Sequence, residues 1–224
     1  MPSKLMLTYF GVDLLFVGTG ALILGFSLNS ESDRRDEPAV DNVAHKILLD
    51  QCPLTAGIVN AILIIFTFLV TLPAFFVPTN RFWLKLHGWL VVICAIFTLG
   101  LGLAIWFETL RTRSKLSTIW SNQAPLVQSL LQERFDCCGY TNSTVPPFLQ
   151  DNTCQNSLVA AQKGGCVSPF SANANGFLDI IFTALFGMVG LDVLLILCVA
   201  MVNRWRIEQQ RYKHIDEKNR DGGM

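Results

Sequence analysis

The chain has 224 residues, of which 51% are hydrophobic and only 15% charged, with a mean hydropathy of +0.43. A soluble domain carries about 25% charged residues, so the balance excludes an ordinary soluble globule and a disordered polyelectrolyte, and points to a membrane protein. Lysines and arginines equal the acids in number, so charge has meaning here by location rather than in sum, and nothing suggests a nucleic-acid partner.

The first apolar run, Leu5 to Leu28, is long enough to cross a bilayer as a helix, which takes about 20 residues. It exceeds the apolar core of a signal peptide and lacks an A-x-A cleavage site, so a retained span is expected. Asp13 sits inside it. A carboxylate there costs about 2.5–3.5 kcal/mol on insertion scales, so it is expected to face the interior of a bundle. Gly11, Gly18 and Gly25 repeat every seven residues and make a small-residue seam for close helix approach. Gly57 and Ala61 offer a matching pair on the second span, and the seam also admits weak self-association.

Residues 29–53 read as a short loop, with Cys52 at its end. A second apolar run follows, Leu54 to Val77, then a tight hairpin, Pro78 to Lys85, then a third run, Leu86 to Phe107, with Cys94 deep inside it. The large loop, 108–176, holds one of the chain's most polar stretches, yet it carries four of the seven cysteines: Cys137, Cys138, Cys154 and Cys166. A bridge between neighbours strains the intervening peptide bond, which disfavours Cys137–Cys138 and leaves two alternative pairings. Two bridges are what a small domain with a thin core needs. Zinc is disfavoured because the loop has no histidine and no CxxC pair.

Within this loop, Leu126, Val127, Leu130, Leu131 and Phe135 recur at helical spacing. Leu110, Leu116, Ile119 and Trp120 form a second stripe that continues the third span. Gly139 after the two cysteines supplies a turn or helix stop. Tyr140 to Gly165 reads as a variable loop. It contains the sequon Asn142-Ser143-Thr144, a glycosylation candidate.

The fourth run, Phe177 to Val202, carries Asp192 and Cys198; Cys198 lies near the span's end and is a palmitoylation candidate. The tail, 203–224, alternates in charge, and Tyr212 and Ile215 match a Tyr-x-x-bulky sorting signal. Placing both ends in the cytoplasm gathers nine lysines and arginines on short inner segments, against eight spread over much longer outer ones, as the positive-inside rule requires. The fold expected is an all-α membrane protein: a four-transmembrane-helix bundle with a disulfide-stabilised, mainly helical large extracellular loop.

Four spans, a small then a large outer loop, the Cys137-Cys138-Gly139 motif after LLQERFD, and Gly165-Cys166 before the last span together resemble the tetraspanin family. The resemblance covers the whole chain. It implies pairing of Cys137 with Cys166 and Cys138 with Cys154, and an intramembrane cavity that takes a sterol at positions matched by Asp13 and Asp192. Family members act as non-catalytic scaffolds that gather lateral membrane proteins, other tetraspanins and lipids, mainly in plasma and endosomal or vacuolar membranes. The chain departs from animal members. Asp151-Asn152-Thr153 precedes Cys154 where Pro-x-Ser is usual, no cysteine ends the second span, and the third-span acid is missing around Gly100. These departures resemble the divergent fungal tetraspanins linked to polarised penetration structures.

The competing expectation is a small proton- or cation-coupled transporter using Asp13 and Asp192. An enzyme is not expected: His45, His87 and His214 read as lying in separate regions, no nucleophile has a base partner, and no cofactor motif is present.

Overall fold

The structure is a computed structural model that describes residues 2–76, 81–145 and 147–221. It is built from helices: α1 (Pro2–Arg35), α2 (Val43–Gln51), α3 (Leu54–Phe76), α4 (Arg81–Leu110), α5 (Thr112–Asn122), α6 (Pro125–Phe135), α7 (Ser157–Lys163) and α8 (Val167–Asp221). Among the described residues the only β pairing is an isolated bridge between Thr144 and Pro147. Four of the helices, α1, α3, α4 and α8, are long and apolar enough to cross a membrane, so the chain is a multi-pass membrane protein.

Several boundaries differ from the sequence expectation. The first helix does not stop at Leu28. It runs to Arg35, where two arginines in its last turn oppose the negative end of the helix dipole and Arg34 bonds Asp50 at 2.7 Å. The small loop contains α2, which buries Val43, Ala44, Ile47, Leu48 and Leu49. The third span's continuation breaks at Arg111 before α5. The fourth helix is unbroken for 55 residues, and so takes in both the end of the expected loop and most of the expected tail. Apolarity marks where a helix meets lipid; it does not mark where the helix ends. Of the hairpin expected at Pro78–Lys85, residues 78–80 lie outside the described residues and the rest opens α4.

The chain divides into two compact units. The first takes residues 1–26, 56–100 and 185–224 and is a four-helix bundle. Its core joins Tyr9, Phe16 and Ile23 of α1, Ala61 and Ile64 of α3, Leu84, Val91 and Cys94 of α4, and Leu195, Cys198, Val199 and Val202 of α8. Its outer faces are apolar too: Leu14, Leu22, Ile62, Phe66, Ile93 and Leu194 are all exposed. Exposed apolar surface of that extent would be a liability in water and is the expected finish in lipid. At Gly20 helix α1 lies close against α3, for an added Cβ would stand 2.6 Å from Ile64 Cγ2.

The second unit takes residues 27–55 and 101–184. Its core is Val43, Ile47 and Leu48 of α2 packed with Leu116 and Trp120 of α5, Leu131 of α6, Tyr140, Cys166, and Phe170 and Ala174 of α8. A smaller cluster gathers Cys138, Cys154 and Ala160.

Candidate functional site

The Cys-Cys-Gly segment sits at the centre of the second unit. Helix α6 ends on Asp136, which takes the left-handed conformation at φ 49°, and its carboxylate meets Lys163 at 2.5 Å. The chain then turns so that the two cysteines point to different partners. Cys137 is bonded to Cys166 and Cys138 to Cys154. Backbone bonds reinforce both: Cys138 N–H donates to Gly164 O at 2.8 Å, Cys166 N–H to Gly139 O at 3.0 Å and Val167 N–H to Tyr140 O at 2.9 Å. Gly139 and Gly164 have φ near +75°, a region glycine enters without penalty. Gly165 is required for space, because a Cβ there would stand 2.3 Å from Thr141 O.

A polar clasp that the sequence reading missed completes the domain. Gln132 is fully buried. Its Nε2 donates to Leu149 O (2.9 Å) and Asp151 Oδ2 (2.8 Å), while its Oε1 accepts from Gly139 N–H (3.2 Å) and Leu149 N–H (3.1 Å). Both donors and two acceptor sites are thus used. Asp151 in turn accepts from Ser129 Oγ, Thr153 N–H and Cys154 N–H at 2.7–2.9 Å. Asp151 is therefore a structural anchor: it ties α6 to the turn entering Cys154. Asn156 caps α7 by accepting from Val159 N–H at 2.9 Å. The segment expected as a variable loop is held by two bridges, the clasp and this cap. It still displays Val145 (62% exposed) and Leu158 (75% exposed), apolar side chains in a polar setting.

Asn142 is exposed. Its Oδ1 accepts from Thr144 N–H, Thr144 Oγ1 and Val145 N–H at 2.7–2.9 Å, so the sequon forms a surface turn. In the same unit Cys52 lines a cavity of about 280 Å³ with Leu48, Ile105, Leu116 and Ile119, beside the Glu108–Lys115 pair at 2.6 Å. Burial pushes its thiol up to about 11; Lys115 lowers it and Glu108 raises it.

In the four-helix unit, Asp13 and Asp192 are both buried, at 0% and 2% exposed. Asp13 Oδ1 lies 3.6 Å from Nε2 of His87. His87 belongs to a ladder of polar pairs between antiparallel α3 and α4. Asn60 Nδ2 donates to Thr98 Oγ1 (2.9 Å), Thr67 Oγ1 meets Cys94 Sγ (3.4 Å) and Thr71 Oγ1 meets His87 Nδ1 (2.5 Å). The spacing was visible in the sequence: 60, 67 and 71 on one helix answer 98, 94 and 87 on the other.

Three expectations are corrected. Gly11, Gly18 and Gly25 face outward, and a Cβ at any of them would meet nothing within 4 Å; Gly20 makes the close approach instead. Cys198 is 2% exposed inside the bundle core, so its thiol is not presented for acylation. Leu126 is exposed rather than turned into the core. Tyr212 and Ile215 are exposed on the continuous helix α8. Among the described residues no group of three or more histidine, cysteine or acidic side chains is placed to hold a metal. Compared with protein-family models, curated proteins and solved structures, the chain matches none.

Proposed function

We propose that this chain is a membrane organiser of the tetraspanin type, a non-catalytic scaffold that gathers lateral protein partners and lipids. One observation carries the reading. The Cys137–Cys166 bridge encloses the Cys138–Cys154 bridge, in a helical insertion between the third and fourth of four apolar helices. A domain built that way gives a loop a fixed shape without giving it a catalytic constellation. Val145 and Leu158, held out from a clamped backbone, are the side chains a lateral partner would cover. The distribution of lysine and arginine supports cytoplasmic termini, which puts this domain and a glycan on Asn142 outside the plasma membrane. The proposal extends to a sterol or lipid hydroxyl at Asp192, whose Oδ2 is buried without a hydrogen-bond partner.

The test is to purify the full chain in mild detergent and identify what accompanies it, beside a V145D/L158D variant. Both substitutions are on exposed positions and leave the bridges intact. A membrane protein held by the wild type and lost from the variant supports the reading. No specific companion in either preparation, together with proton or cation flux in vesicles that Asp13→Asn abolishes, would replace it with transport.

A further inference from the structure

Four polar side chains from three helices converge inside the four-helix unit. Tyr9 and Asp13 come from α1, Thr71 from α3 and His87 from α4, and none is more than 1% exposed. The Tyr9 and His87 rings stand edge to face with centroids 5.9 Å apart. The Thr71 hydroxyl is 2.5 Å from His87 Nδ1 and stands close to both the Asp13 carboxyl and the Tyr9 phenol. His87 Nε2 and both Asp13 oxygens nevertheless make no hydrogen bond of normal geometry, and the gap between Nε2 and Oδ1 is 3.6 Å. Buried polar atoms are rarely left so, since each costs about 1–3 kcal/mol.

We propose that Asp13 and His87 form a proton-binding site in which one proton is held between the Asp13 carboxyl and His87 Nε2. The count follows from charge. With one proton, the pair is either carboxylic acid plus neutral imidazole or carboxylate plus imidazolium; both states are neutral overall. With none or two, a single charge is left uncompensated in a dry interior, at a cost of several kcal/mol. Passage between the neutral states breaks the Asp13 O–H bond and forms the His87 N–H bond, with no other reactant. A small rotation of either side chain closes the gap to a charge-assisted hydrogen bond.

Among the other described groups around the site Arg206 is the one cation, and it engages Tyr9 and Ala74 O, with no ion pair to Asp13. Helix α3 has no titratable side chain. Helix α1 adds the Tyr9 phenol and α4 adds the Cys94 thiol, which pairs with Thr67. Helix α8 brings Asp192, which acts on Cys94, together with Cys198 and Arg206; the last two act on Tyr9. The Arg206 guanidinium also donates to Ala74 O at 3.0 Å. Thr71 is a positioning residue: by engaging Nδ1 it dictates which face of the imidazole meets the acid.

The experiment is ¹⁵N NMR of the full chain labelled at histidine, in detergent micelles between pH 5 and 8. The chain has three histidines, and exposed His45 and His214 serve as references. His87 is expected to keep one resonance pattern across the range. Asp13→Asn is expected to move its Nε2 signal, Asp13→Glu to restore it, and Thr71→Val to move Nδ1. A His87 signal that shifts with pH across that range, or that is unchanged by Asp13→Asn, overturns the proposal. If Asp13→Asn loses its helical circular dichroism, the wild-type titration alone decides.

Discussion

Gln132→Glu is the sharpest test of the second unit. The substitution keeps size and one acceptor oxygen but replaces the donor that faces Asp151. In the wild type Gln132 Nε2 stands 2.8 Å from Asp151 Oδ2 and 2.9 Å from Leu149 O. A glutamate puts an acceptor against both. Two hydrogen bonds disappear, at about 1 kcal/mol each, and an acceptor is left unpaired at about 1–3 kcal/mol. Two carboxylates then share one site, so a loss of about 3–5 kcal/mol is expected at pH 7.5.

The acid dependence separates charge from mere misfit. Each carboxylate raises the folded-state pKa of the other above its unfolded value. The folded state then binds more protons, and the penalty is complete above the raised value and relieved as pH falls through it. The assay is amide hydrogen exchange across residues 149–154 of the purified chain, at pH 7.5 and 5 after correction for intrinsic rates. At pH 7.5 these amides should exchange about 100–4000-fold faster than in the wild type, at about 1.4 kcal/mol per tenfold. At pH 5 part of the protection should return. Wild-type protection at both values would refute the clasp, and equal loss at both would refute its charge component.

Gly20→Val should cost about 1–3 kcal/mol of bundle stability, because Ile64 leaves no room for the new side chain. Gly18→Ala should be neutral or gain up to about 1 kcal/mol, from helix propensity at a position that meets nothing. Thermal unfolding in detergent compares the two, and equal effects would put the packing face in the wrong place. Gly165→Ala should lose both disulfides in a large fraction of molecules on non-reducing gels, since the added methyl meets backbone oxygen rather than a movable side chain. Cys52 should alkylate at pH 7.5 roughly three to four orders of magnitude more slowly than a fully ionised thiol, its rate climbing until pH passes about 11. A rate already saturated at pH 8 would contradict its burial.

What the sequence disclosed depended on how local each signal was. Four apolar runs are continuous stretches, and the spans were legible from them. The two adjacent cysteines carried their own argument, because neither can take the other. Gln132 carried none: its partners are backbone groups and a carboxylate up to 19 residues away, brought together only by the turn at Gly139. The glycine seam failed for a different reason. A spacing of seven places residues on one stripe of a helix but does not say which stripe meets a neighbour, and in a membrane span the lipid-facing side is as apolar as the core. Cys198 misled in the same way, since counting residues gives depth and not direction.

The polar residues of the spans carry the directional information that the glycines lack. A threonine or histidine in lipid needs a partner, so the stripe holding Asn60, Thr67 and Thr71 must face the stripe holding His87, Cys94 and Thr98. That pairing fixes the register of the α3–α4 hairpin. It leaves Asp13 as the residue through which α1 joins the polar line, at His87. In such a bundle apolar packing alone would tolerate a slip of one turn, whereas three polar rungs and a buried acid would each lose a partner. The interior polarity therefore specifies the fold as well as the register.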